Sequence, residues 1–196
     1  MPDLFTLDLQ EFFEASAARH KHLCPRQILG VRAGLVGART LGLHVPRRDK
    51  RMLIIAETDG CFIDGLEVAT GASCGHRTLR VEDYGKIAAT FIDVKNNFTV
   101  RISPNVDLRH QARMYAPGEK RRYFAQLCAY QIMPDEELFR IQEVRLHRSV
   151  QSIISRAGFR VDCEICGEEI INERQVVHEG HVLCQSCAGE GYYSLQ

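Results

Sequence analysis

The sequence carries no net charge, with 25 lysines and arginines against 25 aspartates and glutamates. No overall field therefore draws the chain toward nucleic acid or acidic lipid, which leaves a local basic patch as the only electrostatic route to either. A long hydrophobic run is also missing. The longest strongly apolar stretch, residues 52–56, is far too short to cross a bilayer, so no membrane partner is expected. The first twenty residues include Asp3, Asp8, Glu11 and Glu14, where a secretory leader needs a basic start and an apolar run. We therefore expect a cytoplasmic protein whose eight cysteines stay reduced; there, paired cysteines point to metal or catalysis sooner than to disulfides. The glycine-rich stretch 71–75 is not followed by Gly-Lys-Ser/Thr, and no G-x-G-x-x-G occurs, so the two phosphate-loop motifs are absent. Internal repeats and low-complexity tracts are absent too.

With 196 residues, 45% of them apolar, the chain can build one packed domain and a small appendage, or two small domains. Leu9, Phe12, Phe13 and Ala17 recur at helical spacing, and Asp8 with Glu11 resembles a capping box, predicting a helix over 8–19. Pro25 suits the first position of a second helix running to about Gly42. Residues 52–57 read as a buried strand, 64–70 as a short helix, and 88–93 with 98–102 as two strands joined by a turn at Lys95, Asn96 and Asn97. Helical patterning returns over 107–115 and 119–133, the partial alternation within 138–146 reads as a closing strand with a helix as the alternative, and 148–158 reads as a helix or linker. The fold class is α+β, with a mixed helix and sheet core over 1–150. A linker and a small cysteine-rich domain of zinc-ribbon or treble-clef type follow over 151–196.

The tail holds the strongest motif. Cys163 and Cys166, then Cys184 and Cys187, form C-x2-C-x17-C-x2-C. Two residues between thiolates let both sulfurs of a tight turn reach one ion, and two such knuckles complete a tetrahedral Zn²⁺ shell. A segment this short cannot be stable from core burial alone, whereas a structural zinc contributes on the order of 10–16 kcal/mol. A closed shell of four cysteines has no open position, which makes the site structural. His178 and His181 lie between the knuckles but are not needed to fill it.

The N-terminal run His20-Lys21-His22-Leu23-Cys24-Pro25 is the second candidate. In an extended segment His20, His22 and Cys24 share a side. Cys24 would be the N-cap of the second helix, whose positive end favours the thiolate. Cys61 sits just past the 52–57 strand, where loops commonly deliver functional groups. Together His20, His22, Cys24 and Cys61 make a mixed N/S set with an open position that suits zinc, iron or nickel. The competing reading is structural: histidines closing a helix, and thiols packed as small hydrophobes. Cys74 is a weaker candidate for the same site, and Cys128, on an apolar helical pattern with Phe124, Leu127 and Ile132, is expected in the core. Basic clusters at Arg47, Arg48, Lys50 and Arg51, and at Lys120, Arg121 and Arg122, read as solvated faces. Asp83-Tyr84-Gly85-Lys86 places a phenol and an amine close together without indicating their use.

In this order the pieces resemble the FmdE family, named for a component of formylmethanofuran dehydrogenase. The matching residues run His20-Lys-His22-Leu-Cys24-Pro25, Leu29-Gly30-Val-Arg32-Ala33, Asp59-Gly-Cys61-Phe-Ile-Asp64 and Thr70-Gly71. Asp83-Tyr84-Gly85-Lys86 with Thr90-Phe91, and the cysteine finger ending in Tyr192-Tyr193, complete the set. The resemblance implies an α+β core bearing a metal site at His22, Cys24 and Cys61 with His20, a tethered finger, and homodimerisation. Family members accompany molybdenum or tungsten formylmethanofuran dehydrogenases, which implies an accessory or redox-linked role beside oxidoreductase subunits. Two departures stand out. Arg26 follows Pro25 where the family has Gly, and Ala72 replaces a cysteine, with Cys74 two residues on. The alternative functions are a zinc-finger regulator touching nucleic acid or transcription machinery, and a structural adaptor.

Overall fold

The computed structural model describes residues 9–193. The chain divides into two compact units, one up to Leu146 and one from His147.

In the first unit α1 (Leu9–His20) buries Phe12 and Phe13, as its apolar spacing predicts; Asp8, half of the expected capping pair, lies outside the described residues. Helix α2 (Pro25–Thr40) opens at Pro25, whose missing N–H is not needed in a first turn. Its N-terminus is anchored through Gln27. That side chain accepts from the Cys24 N–H at 2.8 Å and donates to the Ser16 carbonyl at 2.7 Å.

Strand β1 (Met52–Ala56), helix α3 (Cys61–Thr70) and strand β2 (Leu79–Val81) form a β-α-β unit with β1 and β2 parallel, Ile54 opposite Leu79. The helix begins three residues before the expected Asp64, because Phe62 and Leu66 are both buried and carry the apolar row one turn further back. β2 escapes a reading of the sequence, since three residues show no alternation. Strands β3 (Ala89–Asp93), β4 (Phe98–Pro104) and β5 (Phe139–Glu143) extend the sheet antiparallel, in the order β2-β1-β3-β4-β5. Asp93 closes the β3–β4 turn by accepting from the Lys95 N–H and the Asn96 side chain, at 3.1 and 2.8 Å.

Side-chain alternation puts Met52, Ile54, Ala56, Phe91, Val100 and Ile102 on one sheet face, all buried. Helix α2 packs on that face closely enough that a Cβ at Gly37 would stand 2.5 Å from the Phe91 ring. Helices α4 (Leu108–Tyr115), α5 (Arg122–Ile132) and the single turn α6 (Asp135–Leu138) complete the unit.

Cys128 corrects the expectation of a core thiol: it is exposed. Helix α5 turns Ala125, Ala129 and Tyr130 inward, so Phe124, Cys128 and Ile132, four residues apart, share the outer face. Both rows are apolar, and spacing alone does not choose between them.

The second unit holds α7 (Val150–Ile154), capped by the Ser149 hydroxyl, and two hairpins, β6 (Arg160–Asp162) with β7 (Glu169–Ile171) and β8 (Val176–His178) with β9 (His181–Leu183). A short helical turn follows at Ser186–Glu190. Its buried cluster consists of Cys163, Ile170 and Leu183. The architecture is α+β, and its cysteine-bearing tail fits a small zinc-binding domain.

Candidate metal centres

In the tail, Cys163 and Cys166 occupy the turn of the β6–β7 hairpin. Gly167 takes φ +74°, and its N–H bonds the Cys163 carbonyl at 2.9 Å, folding the turn so that both thiols point the same way. Cys184 follows β9 directly, and Cys187 sits in the turn after it, with its N–H 3.4 Å from the Cys184 Sγ. All four Sγ atoms lie within 4.8 Å of one another, and those of Cys166 and Cys184 are 3.9 Å apart. A tetrahedron of 2.3 Å metal–sulfur bonds has edges of about 3.8 Å, so the donor set fits a four-coordinate ion.

The electrostatics agree. Backbone N–H groups of Cys166 and Cys184 hold the Cys163 thiol down to about 6, whereas Cys187, crowded by the Cys184 thiol and partly desolvated, is pushed up to about 12. Four thiolates repel one another, and a dication removes that repulsion. His178 and His181 stand at the β8–β9 turn, and His181 Nδ1 is committed to the Glu164 carboxylate at 2.7 Å.

The core site is built by a helix pair. Gly30 and Gly65 face each other across α2 and α3: a Cβ at Gly30 would lie 2.1 Å from the Phe62 carbonyl oxygen, and one at Gly65 2.3 Å from that of Gln27. Gly34 meets Thr70 and Ala69 further along, so the two helices run in parallel with their backbones in contact. Their N-termini therefore lie side by side. Cys24 is the N-cap of one and Cys61 the first residue of the other, and their thiols are near enough that Cys24 raises the pKa of the Cys61 thiol. Burial, followed by the Cys24 thiol beside it, pushes the Cys61 thiol up, and both outweigh the backbone N–H that favours its anion.

The histidines stand differently from the expectation. His20 lies in the last turn of α1 and Lys21 takes φ +62°, which breaks the extended alternation that would align His20, His22 and Cys24. His20 Nε2 is bound to the Asp64 carboxylate at 2.5 Å and His22 Nδ1 contacts the His20 carbonyl at 3.0 Å; both rings are exposed, while Cys24 is buried. Among the described residues, only the four finger cysteines form a group of three or more ligand atoms within 4.8 Å. The core thus brings Cys24 and Cys61 together, with His20 and His22 at the rim. Cys74 does not join them. It lies three residues past Gly71, the C-terminal cap of the ten-residue α3, a helix about 15 Å long whose first residue is Cys61.

Tyr123 joins the thiols without a sequence signal strong enough to single it out. The start of α5 brings its hydroxyl 3.5 Å from the Leu23 carbonyl and close enough to both thiols that, after partial burial, their charge holds the phenol up. The one local feature, a tyrosine following a basic run, is too common to find it.

A family model described as "FmdE, Molybdenum formylmethanofuran dehydrogenase operon" matches residues 19–140, well over half of the chain. The chain belongs to the FmdE family. The match begins at α1's last turn, takes in both core thiols and stops before the finger. A relative from Archaeoglobus fulgidus, described as a probable S-adenosyl-L-methionine-binding protein, is 28% identical over 197 residues. That alignment covers 90% of this chain but 52% of the relative, so the chain spans about half its length. The crystal structure of an FmdE-like protein of tungsten formylmethanofuran dehydrogenase type, from Syntrophus aciditrophicus, matches with a TM-score of 0.63 over 98% of both chains, at 19% identity. This likeness establishes the fold of the FmdE proteins for this chain.

Proposed function

We propose that this FmdE protein is a metal-binding accessory component, redox-linked, of a molybdenum- or tungsten-dependent one-carbon oxidoreductase system of the formylmethanofuran dehydrogenase type. The observation that carries the reading is the thiol pair Cys24–Cys61, set at two adjacent helix N-termini within the stretch that matches the family model. Two neighbouring thiols resist losing both protons; a cation relieves that resistance, and two helix ends supply partial positive charge behind the sulfurs.

The finger holds Zn²⁺ on Cys163, Cys166, Cys184 and Cys187 and serves folding. The core takes zinc, iron or nickel on Cys24 and Cys61, with His22 turning inward and His20 available if it leaves Asp64. Such an ion supplies Lewis acidity or electron transfer at an exchangeable position. Asp64 orients His20, and the Tyr123 phenol, within electrostatic reach of both thiols, serves as a proton donor. The protein acts as a cytoplasmic homodimer beside the oxidoreductase subunits.

Metal analysis tests the reading. Wild-type protein carries two ions per chain, a Cys24→Ala/Cys61→Ala variant one, and a Cys163→Ser/Cys184→Ser variant loses the other. An unchanged metal-to-protein ratio in the first variant would remove the core site. Sedimentation equilibrium checks the dimer.

A further inference from the structure

The Asp83-Tyr84-Gly85-Lys86 stretch takes no part in either metal centre, yet it is held firmly. The Asp83 carboxylate accepts from the Gly85 N–H at 2.9 Å, and Gly85 takes φ +65° to complete the turn. The Glu57 carbonyl, at the end of β1, accepts from both the Tyr84 and the Lys86 N–H groups at 3.0 Å, while the Ala88 carbonyl accepts from the Glu57 N–H at 2.9 Å. The Glu57 carboxylate in turn grips Arg101 of β4 with two bonds of 2.5 and 2.7 Å. One buried residue thus fixes both the loop and the adjoining wall.

These groups open onto a cleft of about 420 Å³. Lys86 enters from the loop, Arg109 from the first turn of α4, and Leu29, Ile87 and Tyr130 form the apolar side. Neither Lys86 nor Arg109 has an ion-pair partner among the described residues, whereas the charge on Arg101 is met by Glu57. The balance of these three cations and one carboxylate leaves two positive charges facing an apolar wall. Two cations set around one cleft repel each other unless an anion lies between them.

We propose that this cleft binds a small organic oxyanion, a carboxylate or phosphate ester on an apolar body. Lys86 and Arg109 engage the oxygens, and Leu29, Ile87 and Tyr130 cover the body. The volume lies within the range of sites for such molecules. Arg contributes a paired donor fork and Lys a point charge, so both ligand types are met by the same groups.

Calorimetric titration of the full chain at low ionic strength with phenyl phosphate and benzoate tests this. Inorganic phosphate serves as the anion without a body, and benzyl alcohol as the body without an anion. We expect at least one aromatic anion to saturate a single site, with both controls at least tenfold weaker. Lys86→Met and Arg109→Met should each weaken that binding about tenfold, the loss of one charge-assisted contact. Lys120→Met, outside the cleft, should leave it unchanged. Both cleft side chains are exposed and without ion-pair partners among the described residues, so the variants should melt as wild type does. Absence of saturable binding by either aromatic anion, or equal binding in the Lys86→Met/Arg109→Met double variant, overturns the proposal. The Cys24→Ala/Cys61→Ala protein should bind the anion normally, which separates this site from the metal reading.

Discussion

Arg32 reaches from the middle of α2 to the end of α5, where it donates to the Tyr130 and Met133 carbonyls at 3.0 and 2.5 Å and to Asp135 at 2.5 Å. It satisfies carbonyls that a helix terminus leaves bare, and its guanidinium fork is what allows several contacts at once. Arg32→Lys should therefore lower stability by about 2 kcal/mol, read from the urea midpoint, because a point charge cannot span these acceptors. Asp93 works similarly at the other end of the sheet. Its Arg51 partner, followed by the N–H groups of the turn, holds its carboxyl below the usual carboxylate range. A group depressed in the folded state contributes fully above its unfolded value, near ~4, and loses that contribution as pH falls through the lower folded value. Asp93→Ala should cost about 2 kcal/mol at neutral pH and flatten the acid limb of a stability-against-pH curve, with the difference from wild type shrinking as the medium becomes more acidic.

At the scale of elements, the α2–α3 contact decides where the thiols meet. Bare backbone at Gly30 and Gly65 lets two parallel helices approach until the thiols at their N-termini are neighbours. Gly65→Ala would force the new carbon against the Gln27 carbonyl and part the helices. The expected result is a loss of about 3 kcal/mol by denaturant unfolding, together with loss of the core ion while the finger ion stays. Elements with a strong pattern are legible in the sequence: α2 from Pro25, β1 from its apolar run, and β3 and β4 from the Lys95-Asn96-Asn97 turn. β2 and the outward face of α5 are not. Three residues carry no periodicity, and two apolar rows on one helix leave its rotation to its neighbours.

For the whole molecule, the two units rest on different physics. The first buries a continuous core along one sheet face; the second buries Cys163, Ile170 and Leu183, and both of its hairpins have strands of three residues. We expect so small a unit to need an ion on its four cysteines in order to fold. Exhaustive chelation, or Cys163→Ser/Cys184→Ser, should abolish protection from hydrogen exchange in β6 to β9 while amides of β1, β3 and β4 keep theirs. Equal protection after verified metal removal would show that the tail folds without an ion.

The clustering of the four finger cysteines is legible in the sequence because a C-x2-C knuckle is a local object: the turn that aims both sulfurs lies within five residues, and the second pair repeats it. The core site is a different kind of object. Cys24 and Cys61 are separated by an entire helix and strand, and their meeting depends on helix direction and on two glycines whose importance shows only in the contact. The same packing left His20 with Asp64, carried Cys74 to the far end of α3 and brought Tyr123 in from another helix. Residue spacing determined the chemistry available to this chain, and backbone-to-backbone packing decided which of those groups face one another.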